Sequence, residues 1–357
     1  MFDGFYREPP SYDNIRRAVC ELKERFPFLK TFPIGKSVLG RSIYALGIGD
    51  VYRGTLFVGG VHGMEWLTTL LLFRFCEDIL SAMTTGEPLA DIDMARTLEN
   101  RSIAIIPCLN PDGVEISLHG AESAGQLCAF VEKASGGDAS RWQANARGID
   151  LNHNFDAGFP QLKELEEQAG FTSPGPTRYG GTAPHSEPET RSLVNFCCAF
   201  DLRQAYAFHS QGEEIYYRYG PHTPVRSQLM AQVLASASGY KLASPEGTAS
   251  HGGFKDWFID CLHRPAFTIE IGRGKNPPAR RGARTDLCAP FGDDAHFDPA
   301  LSGSYFSQNP SIVRKSAIRS RSSSWGQSHQ RMRPSAAAVS PSNRRRRRRA
   351  GTPATTS

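Results

Sequence analysis

The stretch Thr55-Leu56-Phe57-Val58-Gly59-Gly60-Val61-His62-Gly63-Met64-Glu65 decides how this chain folds. Its first half is an unbroken apolar run ending in two glycines. That is the pattern of a strand buried on both faces, as parallel strands are. Residues 66–80 then read as a buried helix. Working outward, residues 102–107 form a second buried strand, closed by a turn at Asn110-Pro111-Asp112-Gly113. Residues 205–208 and 267–271 give a third and a fourth strand. Between them lie helical patterns. Ile15, Val19, Leu22 and Phe26 recur at helical spacing in 11–28. Ser186 and Glu189 form a capping-box pattern ahead of Leu193, Val194 and Phe196. Thr223 and Pro224 open a helix that ends near Gly239. Strands alternating with helices predict an α/β fold, a sheet packed between helices.

Composition divides the chain in two. Apolar residues make up 39% of its 357 residues, low for a wholly globular protein. From position 280 to the end there are 15 Lys/Arg and 4 Asp/Glu, a net of +11. The remainder holds 26 basic and 32 acidic residues, a net of −6. After Asn276-Pro277-Pro278 no helical or strand period persists, and six arginines run from 344 to 349. The expectation is a folded domain over 1–278 and a basic, low-complexity, disordered tail over 279–357. The eight cysteines include no CxxC pair, which predicts buried free thiols in a reducing compartment. The first residues lack a basic segment followed by an apolar core. No stretch reaches the roughly 18 apolar residues that span a bilayer. A soluble, cytoplasmic protein with no membrane partner is expected.

The chemistry gathers where strands end. Ligands bind at the carboxyl edge of open α/β sheets, and His62 and Glu65 follow the first strand directly. Both residue types suit zinc, and three residues of separation lets them face one point. A catalytic zinc needs a third protein ligand and an open fourth position. His209 ends the strand Ala205-Tyr206-Ala207-Phe208 and supplies a candidate. Glu270 sits inside the apolar run Phe267-Thr268-Ile269-Glu270-Ile271, where a carboxylate is costly unless paired or functional. It is a candidate base. The polar loop from Asn145 to Phe155 offers Arg147 and Asn152. A terminal carboxylate and a developing oxyanion need such donors.

Six segments together resemble the M14 family of zinc carboxypeptidases, in that family's order. They are 62–65, 110–113, 145–152, 209–211, 252–257 and 268–272. The resemblance covers roughly 1–278. It implies a mixed, largely parallel central sheet between helices. It implies one Zn2+ per chain held by His62, Glu65 and His209. It implies Glu270 as general base and acid, Arg147 as carbonyl or oxyanion stabiliser, and Asn152 as a ligand of the substrate carboxylate. The family usually carries arginine where His153 stands and a tyrosine where Thr248 stands. Lys255 occupies a position that lines the family's specificity pocket, where it would favour an acidic leaving residue. The form of the 145–152 motif looks like the bacterial branch that cleaves γ-D-glutamyl-diaminopimelate bonds of cell-wall peptides. The expected partner is a peptide with a free or acidic C-terminal residue. The family's final helix finds no counterpart after 278, so 279–357 reads as a frameshifted or misassembled end. Three other readings stand beside this one, the first an inactive relative, given His153, Thr248 and the altered end. An aspartoacylase-type zinc deacylase shares the His/Glu/His set, but the 252–257 segment favours a peptidase. Nucleic-acid binding through the arginine-rich tail would be non-specific, since the tail lacks interleaved aromatics.

Overall fold

The run that opens at Thr55 forms the middle of an eight-stranded sheet in the computed structural model, which describes residues 1–2, 4–49 and 53–278. In chain order the strands are β1 (Lys30–Lys36), β2 (Ser42–Ile48), β3 (Arg53–Val58), β4 (Ile103–Ile106), β5 (Asp201–Ser210), β6 (Glu214–Tyr216), β7 (Lys241–Leu242) and β8 (Ala266–Ile271). Across the sheet they lie β1-β2-β4-β3-β5-β8-β6-β7. β3 runs parallel to β4 and β5, and β5 runs parallel to β8. Antiparallel pairings flank this centre, β1 with β2, β2 with β4, and β6 with β8. The sheet is therefore mixed and parallel at its heart, as the sequence implies.

Nine helices flank the sheet among the described residues. They are α1 (Tyr12–Arg25), α2 (Leu67–Thr85), α3 (Met94–Leu98), α4 (Pro111–His119), α5 (Cys128–Ser135), α6 (Phe159–Gln168), α7 (Pro188–Ala199), α8 (Arg226–Ser238) and α9 (Phe254–Leu262). One sheet face, with Phe57, Ile105, Tyr206 and Ile269, packs against α1, α2 and α8. The other, with Leu56, Val58, Ala205 and Ala207, packs against α7 and α9. Successive residues of β3 thus enter opposite cores, which is why its sequence is apolar throughout. Leu56, Val58 and Leu70 are wholly buried, each contributing about 1.5–3 kcal/mol.

Several local expectations are corrected. Asn110-Pro111-Asp112-Gly113 is no isolated turn but the start of α4. The Asn110 side chain accepts from Gly113 N at 2.8 Å, and Pro111 takes the first helical position. The capping box at Ser186 does not form. The α7 cap is Glu187, and the Ser186 hydroxyl donates to Glu187 Oε1 at 2.9 Å instead. α8 begins at Arg226, past Pro224, and Gly239 closes it in the left-handed region. β1 and β2 escape periodicity because β1 holds Pro33 and slips register between Pro33 and Gly35. Cys76, Cys108 and Cys197 are buried free thiols, but Cys20, Cys198 and Cys261 are exposed on helices. Cys288, the expected disordered tail and its reading as a frameshift lie outside the described residues. No helix among the described residues is long and apolar enough to cross a membrane.

Candidate metal centre

Three neighbouring strands deliver the expected residues to one edge. After β3 the chain turns through Gly59 and Gly60 and presents His62. One turn of 3-10 helix, Gly63–Glu65, then folds Glu65 back beside it. Only glycine fits between them, because a Cβ on Gly63 would meet the Gly113 carbonyl oxygen at 2.2 Å. β5 pairs with β3 and carries His209 near its end. β8 pairs with β5 in a register that sets Glu270 opposite His209.

His62, Glu65 and His209 are all buried, and their ligand atoms lie within 4.8 Å of one another. His62 Nδ1 is 2.9 Å from Glu65 Oε1, and His209 Nδ1 is 3.1 Å from Glu65 Oε2. The two Nδ1 atoms face each other at 3.3 Å. Two imidazole nitrogens and a carboxylate pointing at one spot repel unless a cation or protons sit among them. Two histidines and a glutamate also match a catalytic zinc set, so the residues fit the expected ion. His62 Nε2 lies 3.3 Å from Asp150 Oδ1, the carboxylate–histidine arrangement that fixes a ligand's orientation. Burial would lower the His62 pKa, but the carboxylates of Glu65 and Asp150 outweigh it and hold it well above the usual value. Burial would raise that of Glu65, but the two histidines bring it down to about 2.

Glu270 has no hydrogen-bond or ion-pair partner among the described residues. Burial pushes its carboxyl up to about 7, with Glu65 adding to the rise and the two histidines opposing it. A bound cation would pull it down again, leaving a carboxylate ready to take a proton near neutral pH.

The remaining expected residues are spread along one side. Asn152 follows Asp150 in a single turn, and its Oδ1 accepts from Phe254 N at 3.0 Å. That contact caps α9 and leaves the amide NH2 of Asn152 as its outward end. His153 is buried, with Nδ1 donating to the Arg178 carbonyl at 2.8 Å and lying 3.6 Å from Glu166 Oε1. Burial would lower its pKa, yet Asp150 and Glu166 hold it above the usual value. Lys255 is only 4% exposed. Its Nζ donates to the Arg218 carbonyl at 2.9 Å and pairs with Asp256. Arg147 is about half exposed and lies 3.5 Å from Glu187 Oε2. It makes no hydrogen bond or ion pair with the histidines among the described residues. Sequence reasoning missed two residues here. Asp150 falls inside the 145–152 segment with no signal of its own, and the Gln143 carboxamide lies 3.2 Å from His62 Nε2. Neither has a local pattern, since both act across the fold.

The sequence pattern of the zinc carboxypeptidases matches residues 15–286. Gamma-D-glutamyl-L-diamino acid endopeptidase 1 of Lysinibacillus sphaericus is 32% identical over 270 residues, covering 74% of this chain and 66% of that protein. Carboxypeptidase B of Homo sapiens is 25% identical over 256 residues, covering 67% of this chain and 56% of that one. The chain thus spans somewhat under two thirds of these relatives. The crystal structure of thrombin activatable fibrinolysis inhibitor superposes with a TM-score of 0.61 at 19% identity, over 81% of this chain and 73% of that one. At that identity the likeness shows the fold alone.

Proposed function

This chain belongs to the zinc carboxypeptidase family, and from that premise we propose that it is a zinc-dependent peptidase hydrolysing γ-D-glutamyl-diaminopimelate bonds. The observation that carries the reading is the convergence of His62, Glu65 and His209 beside an unpaired, half-buried Glu270. Zinc held there would polarise the scissile carbonyl and lower the pKa of an attacking water. Glu270 takes that water's proton and passes it to the leaving nitrogen. Asp150 keeps His62 turned inward. Arg147, tethered by Glu187, meets negative charge developing on the carbonyl oxygen. The amide NH2 of Asn152 and the imidazole of His153 are the groups we assign to the substrate carboxylate.

Support for the substrate comes from the named activity of the Lysinibacillus sphaericus relative. It also comes from the Lys255–Asp256 pair. The far end of diaminopimelate carries one ammonium and one carboxylate, which would exchange with the partners that the buried Lys255 and Asp256 now find in each other. The test compares L-Ala-γ-D-Glu-diaminopimelate with its lysine analogue, which lacks the far carboxylate. Faster turnover of the diaminopimelate peptide is expected. Equal rates would remove this substrate.

A further inference from the structure

Two groups reach the outer nitrogen of His62. Asp150 Oδ1 lies 3.3 Å from Nε2, and the Gln143 carboxamide lies 3.2 Å from it. With Nδ1 turned toward Glu65 and His209, the single proton of a neutral ligating imidazole sits on Nε2. An N–H there calls for acceptors. Asp150 is one, and the oxygen of the Gln143 carboxamide is a second. Half a turn of the amide about its last bond exchanges its oxygen and nitrogen ends. Its other end meets the Thr177 hydroxyl at 2.5 Å, and a hydroxyl can donate or accept.

The main chain of Gln143 grips the same turn. Its carbonyl accepts from Gly63 N at 3.0 Å and from Asn110 Nδ2 at 3.3 Å. Its N–H donates to the Pro176 carbonyl at 2.9 Å, next to Thr177. One residue therefore holds both the ring of His62 and the backbone that follows it. We propose that Gln143, locked by Thr177, is a positioning residue that sets the orientation of His62 and so the affinity of the metal centre. The inference rests on the His62/Glu65/His209 reading.

The test is a zinc titration of the full chain against a competing chelator. Gln143→Ala and Thr177→Val should each weaken zinc binding about tenfold, the low end of effects for groups behind a ligand. The double variant should be no weaker than either single one, because the two act as a unit. The melting temperature of the metal-free protein should stay at the wild-type value in both. Wild-type affinity in both variants would overturn the proposal. So would multiplying effects, or a loss of affinity that tracks a lower metal-free melting temperature. A wild type that binds no zinc would sink the metal reading, and this inference with it.

Discussion

His209 and Glu270 stand in paired strands and His62 and Glu65 on the tight turn that leaves one, whereas Arg147, Asn152, His153 and Lys255 are held by loops and a helix start. On the metal side, the β5–β8 ladder fixes His209 opposite Glu270, and the turn after β3, its Gly63 N–H bonded to the Gln143 carbonyl at 3.0 Å, fixes His62 and Glu65. On the substrate side, each residue is held by another side chain or by a carbonyl. His153 lies between Asp150 and Glu166, Lys255 pairs with Asp256, and Arg147 pairs with Glu187. The zinc chemistry is thus built into the sheet, while recognition is assembled from contacts that a few substitutions can rearrange.

The sharpest way to break the metal side is His209→Ala. Zinc content should fall from one per chain toward zero. Activity should fall by several kcal/mol of transition-state stabilisation, on the order of a thousandfold or more. Metal analysis and kcat/KM check this together. On the substrate side the largest effect should come from Lys255→Met. It leaves Asp256 buried without its partner, which should cost about 3–5 kcal/mol in a denaturant titration. The same variant should lose its preference for diaminopimelate over lysine. A loss of preference with stability intact would make Lys255 a substrate contact alone.

Glu189 is buried in α7, where its carboxylate accepts from Val38 N at 3.0 Å and from the Asn145 amide at 3.3 Å. Burial pushes its pKa up from 4.5 to about 7. The folded chain therefore keeps a proton that the unfolded chain releases, and its stability falls as pH rises from about 4.5 to about 7. Glu189→Gln should remove that slope. It should match the wild type at low pH and exceed it above pH 7 by on the order of 3 kcal/mol. Parallel stability curves for the two proteins would contradict this.

The same contrast explains what the sequence made legible. β3, β5 and β8 are apolar on both faces, so periodicity and flanking glycines find them. His62, His209 and Glu270 then stand out as polar residues at their ends. β1 is half-exposed and bulged, and β6 and β7 are too short to show a period. Asn110 read as a turn because an N-cap and a turn use the same side-chain bond to a following N–H. Asp150 and Gln143 act on His62 from 88 and 81 positions away, a relation that no local pattern encodes.

The most direct test pairs zinc content with hydrolysis of L-Ala-γ-D-Glu-diaminopimelate, for the wild type and Glu270→Gln. We expect one zinc per chain in both, with activity lost about a hundred- to ten-thousandfold in the variant. A folded wild type without zinc, or a Glu270→Gln variant with full activity, would contradict the account.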